Sequence, residues 1–320
     1  MHATLLRNGI LILASSLCCF FYTCCCLGAE TESAEQPSRA EALLKTLDPF
    51  YKQHVVADGL LIVGSEKVSP YALREVAYLA RRMLVNRPDV MKKLGGTRKM
   101  YVCVMAYNEM QTDLPECRRM EPWWDYRARG LAGGSVSCGE ENVLCFRGDP
   151  WQGENIFIHE FGHGLQGVIG GIDEQFNARL AALYDKAEQS GRFRGYAIEG
   201  GIGEFWAEGV QAWFNCNGTI RPKAGGGQSS FEVLGPQGEH VCHIATRAQL
   251  KTHLPEYARL LDDSFRQNEW LYVPVAKRLN EPHLRGFDPA KAPTFRWPPE
   301  VVRAFNRFKA KEAKKQEQTE

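Results

Sequence analysis

Apolar and polar positions change period several times along the chain, and each change marks an element. Residues 60–63, Leu60-Leu61-Ile62-Val63, form a continuous apolar run closed by Gly64, the pattern of a short buried strand. Ser69-Pro70 then supplies an N-cap and a first-turn proline. A helix is expected from there through Leu84, its apolar side carrying Tyr71, Val76, Leu79 and Met83. Residues 100–106 are apolar and β-prone, a second strand. A long loop with Pro115, Cys117, Pro122 and the pair Trp123-Trp124 leads into residues 131–137, read as a glycine-containing edge strand. From Asp149-Pro150 a helix is expected to run over 152–168 and to stop at Gly170-Gly171. Further helices are expected over 174–189, over 202–215 and over 248–265, the last interrupted or restarted at Pro255, with a glycine-rich loop at 225–227. Strands early and helices late, with no internal repeat, predict an α+β fold: an N-terminal α/β lobe with a small mixed sheet and a mainly helical C-terminal lobe.

The first residues follow a different logic. Arg7 precedes an apolar run over 9–27, and Leu27-Gly28-Ala29 ends it before Glu30. Basic, apolar and small segments in that order predict a secretory signal peptide over 1–29, and so a secreted or periplasmic protein with no membrane span after cleavage. Residues 30–38 read as a polar linker, 39–305 as the folded domain and 306–320 as a polar tail, either a solvated helix end or disorder. Lys and Arg total 39 against 38 for Asp and Glu. That balance offers no electrostatic case for nucleic acid or an anionic membrane as partner. Five of the 11 cysteines lie inside the signal. The other six, in an exported chain, predict three disulfides, with Cys138–Cys145 and Cys216–Cys242 as neighbouring pairs.

The chemistry concentrates in His159-Glu160-Phe161-Gly162-His163. Residues i and i+4 share a helix face, so both imidazoles can reach one metal ion, Zn2+ above all. Glu160, about 100° around the helix from His159, is placed to take a proton from water rather than to bind metal. Phe157, Phe161, Leu165 and Val168 form an apolar stripe on which the helix can pack. A catalytic zinc needs a third protein ligand. The extended metzincin pattern fails, because Gln166 and Ile169 stand where it needs glycine and histidine. Glu204-Phe205-Trp206-Ala207-Glu208 repeats the i, i+4 spacing with two carboxylates amid apolar residues. One carboxylate can bind the metal while the other accepts the free ring N–H of a ligating histidine.

His159 to His163 followed by Glu204-Phe205-Trp206-Ala207-Glu208 resembles the gluzincin zinc metallopeptidases, most closely the lethal-factor-like and Pro-Pro endopeptidase group. Residues 196–214 are also similar to a set of uncharacterised exported proteins with the same tyrosine and Glu-aromatic-Trp-Ala-Glu-Gly-Val-Gln pattern. The resemblance covers about residues 154–215. It implies a zincin-like catalytic domain, Glu204 as third ligand, Glu208 as partner of a ligating histidine, and Tyr196 as a donor to the oxyanion. It also implies a peptide or protein substrate held in extended conformation; the edge strand over 131–137 is the candidate to pair with it. Two other readings stay open: a non-catalytic scaffold of the same fold, and a zinc amidase acting on cell-wall or glycan-linked amides. Trp123, Trp124, Arg127 and Arg129 can either wall a cleft or serve as packing and surface charge. His54, His240, His243, His253 and His283 show no ligand spacing.

Overall fold

The computed structural model describes residues 38–96, 100–218 and 231–317. The expected signal peptide, all of the linker but Ser38, and the glycine-rich loop at 225–227 lie outside the described residues. After α1 (Arg39–Leu44), the strands β1 (Gln53–Ala57) and β2 (Leu60–Gly64) lead to α2 (Pro70–Met83), α3 (Pro88–Gly96) and β3 (Tyr101–Met105). A short α4 (Trp124–Arg127) precedes β4 (Gly130–Ala132) and β5 (Val136–Gly139), and α5 (Glu140–Val143) leads to α6 (Ile156–Gly170). The strands form one mixed sheet in the order β1-β2-β3-β5-β4. β2, β3 and β5 run parallel, and β1 and β4 are antiparallel at the two edges.

The unbroken apolar runs of β2 and β3 are explained by cover on both sheet faces. Leu60, Ile62, Val102, Val104, Val136 and Cys138 join the main core with residues of α2, α3 and α6. Their sequence neighbours Leu61, Val63, Tyr101, Cys103 and Met105 point the other way, against Ala40, Tyr51, Leu114 and Cys117. The expected edge strand over 131–137 is in fact two strands. Gly133 and Gly134 reverse the chain, so that of the two β4 lies at the edge while β5 pairs on both sides.

The helix starts show which local signals held. Ser69 caps α2 as expected, its hydroxyl accepting from Tyr71 N at 3.3 Å. α6 starts later than expected: Asp149 closes a turn onto Trp151 N at 3.0 Å, and Asn155 is the cap, accepting from Ile158 N at 3.0 Å.

The second half contains α7 (Phe176–Gln189), β6 (Phe193–Arg194), α8 (Tyr196–Glu199), α9 (Ile202–Trp213), β7 (Glu232–Leu234), β8 (His240–His243), α10 (Arg247–His253), α11 (Pro255–Phe265) and α12 (Pro299–Glu317). Pro255 does break the helix expected over 248–265. β6, β7 and β8 form a second, antiparallel sheet that the apolar pattern did not predict, because its strands are short and half of the positions in β6 and β8 are exposed. Within the polar tail the chain is a largely solvated helix end. Residues 306–317 continue α12, and Phe308 stacks on Trp123 at 4.0 Å between ring centroids.

The disulfide expectation is not met: Cys103, Cys117, Cys138, Cys145, Cys216 and Cys242 are all free. Cys138 is buried in the central sheet, whereas Cys145 faces Tyr272 Oη at 3.7 Å. Cys216 Sγ points to Gln211 O at 3.4 Å, and Cys242 Sγ to His253 Nε2 at 3.4 Å. Closeness in sequence did not bring either pair together. No helix among the described residues is long and apolar enough to cross a membrane.

Candidate metal centre

The HExxH segment lies in α6, and its apolar stripe is real at Phe157, Phe161 and Leu165, all fully buried. Ile169, rather than half-buried Val168, completes it. α9 packs beside α6. Trp206 Nε1 donates to Gly162 O at 2.8 Å, and a Cβ on Gly162 would already lie 3.4 Å from Val210 Cβ and 3.6 Å from Ala207 Cα. Small residues at this crossing let the two helices close until their polar faces meet.

Where they meet, His159 Nε2 is 3.1 Å and His163 Nε2 is 3.5 Å from the same oxygen, Glu204 Oε2. One donor atom from each of the three residues lies within 4.8 Å of the others. Donors at ordinary zinc distances around a tetrahedral ion are about 3.3 Å apart. The two separations from Glu204 bracket that value, so two imidazoles and a carboxylate fit Zn2+ in both donor type and spacing. Their charges already respond to one another. Burial opposes ionisation of Glu204, but His159 and His163 outweigh it and hold the carboxyl well below its usual range. Burial likewise disfavours the His159 imidazolium, yet the bond to Glu204 and the charges of Glu160 and Glu208 push it up to about 10.

The hydrogen bond at His159 Nδ1 differs from the one expected. The ring donates to Gln211 Oε1 at 2.8 Å, and Gln211 Nε2 in turn donates to Asn155 O at 3.3 Å. Glu208 is fully buried and accepts from Asn217 Nδ2 at 2.8 Å. It acts on His159 through its charge. Gln211 was legible in principle, since it follows Glu204 and Glu208 along one face of α9. A neutral amide carries no metal signal in sequence, however, and it was passed over.

Glu160, Tyr196, Trp124 and Arg127 line the same cleft of about 450 Å³ as the three candidate ligands. Burial pushes the Glu160 carboxyl up, against the pull of the two histidines. Tyr196, at the start of α8, is kept a neutral phenol by burial and by the charge of Glu204. Arg127 Nη2 donates to Tyr196 Oη at 3.5 Å, with its guanidinium 5.6 Å from the ring centroid. Arg127 and Trp124 are therefore cleft walls. Trp123 packs on Phe308, and the Arg129 guanidinium turns inward to Glu141 at 2.6 and 2.9 Å. The edge strand β4 reaches the cleft at Gly130, Leu131 and Ala132. Gly130 is required by this approach: a Cβ there would strike Ile156 and lie 2.9 Å from Glu160 Cγ. No protein-family model, curated protein or solved structure matches the chain.

Proposed function

We propose that the chain is a secreted zinc-dependent hydrolase of the gluzincin type, a peptidase with a zincin-like catalytic domain. Its metal ligands are His159, His163 and Glu204, and its general base is Glu160. One observation carries the reading: Glu204, on a helix remote in sequence, places one oxygen 3.1 and 3.5 Å from the two imidazoles of the HExxH helix. The secreted location rests on the order of segments in residues 1–29.

A zinc ion bound by these residues supplies Lewis acidity toward a carbonyl oxygen and a water. Glu160, its carboxyl pushed up by burial and facing the cleft, removes a proton from the attacking water and delivers it to the leaving nitrogen. Water is thereby added across the C–N bond, oxygen to carbon and protons to the amine and carboxyl products. Tyr196 remains protonated and can donate to the developing oxyanion, while Arg127 holds its hydroxyl from the side. Among the described residues β4 has a partner only on its β5 side, and it borders the cleft, which suits an extended substrate adding as a further strand.

The test is metal content and cleavage together. Full chain recovered from a secreting host is assayed by plasma mass spectrometry and against a peptide library, beside Glu204→Ala and Glu160→Gln. The expected result is that Glu204→Ala holds one tightly bound zinc per chain fewer than the wild type and Glu160→Gln, and that the wild type alone cleaves. A folded wild type that binds no more zinc than Glu204→Ala when zinc is supplied overturns the proposal.

A further inference from the structure

The sheet β6-β7-β8 carries a second group of ligating side chains, none of which lines the cleft. Glu232 on β7 pairs across the ladder with His243 on β8, Val233 with Cys242, and Leu234 with His240. Val241 is therefore an extra residue, a bulge in β8. Residues three apart on a regular strand face opposite ways, and one inserted residue puts them on the same face. The bulge brings the His240 and His243 rings to 4.7 Å between centroids. One donor atom from each of Glu232, His240 and His243 then lies within 4.8 Å of the others, and His243 Nε2 is 4.0 Å from Glu232 Oε1.

The environment suits a cation. The Glu232 side chain is only 6% exposed, so its charge needs a positive partner. Arg194 provides one at Oε2 from a side chain that is 51% exposed, and His243 Nε2 lies on the Oε1 side at 4.0 Å. His240, at the rim, is exposed and gives an ion access from solvent.

We propose that Glu232, His240 and His243 form a second metal site, for Zn2+ or another divalent transition ion. Two imidazoles and one carboxylate select such ions over Mg2+ and Ca2+, which prefer oxygen ligands throughout. Binding ties β8 to β7. Arg194, which shares Glu232 and lies just ahead of Tyr196 in the chain, connects the site to the cleft wall.

The site does not depend on the zinc reading of the cleft and is tested with that centre disabled. Full-length Glu204→Ala is titrated with zinc against a chromophoric chelator, beside Glu204→Ala carrying either His240→Gln or His243→Gln. His240 is exposed, so its substitution leaves the fold intact, and circular dichroism verifies this. The expected result is one zinc per chain in Glu204→Ala, and in both double variants an affinity lower by at least roughly 10-fold, the loss that follows when merely a ligand's hydrogen-bonding neighbour is removed. No uptake by Glu204→Ala, or equal affinity in all three chains, overturns the proposal.

Discussion

Replacing Gln211 by leucine removes the hydrogen bond at His159 Nδ1 while leaving a side chain of similar length at a fully buried position. Gln211 Nε2 is held by Asn155 O at 3.3 Å, so its oxygen is the atom presented to the ring, at 2.8 Å. Nδ1 must therefore carry the proton, and Nε2 is the nitrogen left to face Glu204 and His163. Without Gln211 the tautomer is no longer imposed, and a buried N–H loses its acceptor at a cost of about 1–3 kcal/mol. Loss of such a neighbour lowers metal affinity roughly 10–100-fold, which converts to about 1.4–2.7 kcal/mol. The two scales agree. Zinc affinity of Gln211→Leu is measured by chelator competition, and thermal unfolding without metal separates any loss to the fold. Glu208→Gln keeps an acceptor for Asn217 and is expected to lose less affinity. A folded Gln211→Leu with wild-type affinity, or a larger loss in Glu208→Gln, would refute the assignment of His159's partner.

The remaining predictions concern the cleft, the core and the thiols. Tyr196→Phe should keep its zinc and lose roughly 100- to 1,000-fold in kcat on a library-derived peptide; an unchanged rate makes Tyr196 a packing residue under Arg127. Arg129→Met leaves Glu141 buried without its guanidinium and should cost about 3–5 kcal/mol in urea unfolding. A cost under about 1 kcal/mol, the level of an exposed pair, contradicts that reading. Burial raises Asp149 and Glu140 to about 7, above their unfolded values, so the folded chain binds more protons than the unfolded one between about pH 4 and 7. The stabilisation is complete below the unfolded pKa values and is lost as pH rises through about 7. The contribution of these two groups should lower the melting temperature from pH 5 to pH 8, with a shallower slope in Asp149→Asn; identical slopes in the two proteins would exclude Asp149 as a source. Thiol titration of the denatured chain should find Cys103, Cys117, Cys138, Cys145, Cys216 and Cys242 free, and a mapped Cys138–Cys145 or Cys216–Cys242 bridge contradicts the structure.

Much of the candidate site was readable because its signals are local. The i, i+4 pairs in α6 and α9 depend only on helix pitch, so two histidines and two carboxylates could be placed on their faces before any packing was known. The cap at Ser69, the buried strand ending at Gly64 and the break at Pro255 are also short-range properties of the backbone. Position 133 shows where such reading stops. A glycine pair inside an apolar run signals either a close approach or a reversal, and the pairing of Val136 with Val102 of β3 selected the reversal.

By itself, then, the sequence determined the longer helices, the buried strands at 60–64 and 101–105 and the metal-ligand pattern on two helix faces, since backbone sterics and side-chain periodicity act over a few residues. Tertiary structure decided which distant groups meet. Gln211 rather than Glu208 bonds His159, Arg127 joins Tyr196 while Arg129 turns into the core, and the cysteines stay apart. A one-residue bulge brings together two histidines whose spacing suggested nothing. Each of these outcomes depends on how separate elements cross and register, which burial of the whole core sets and no local window contains.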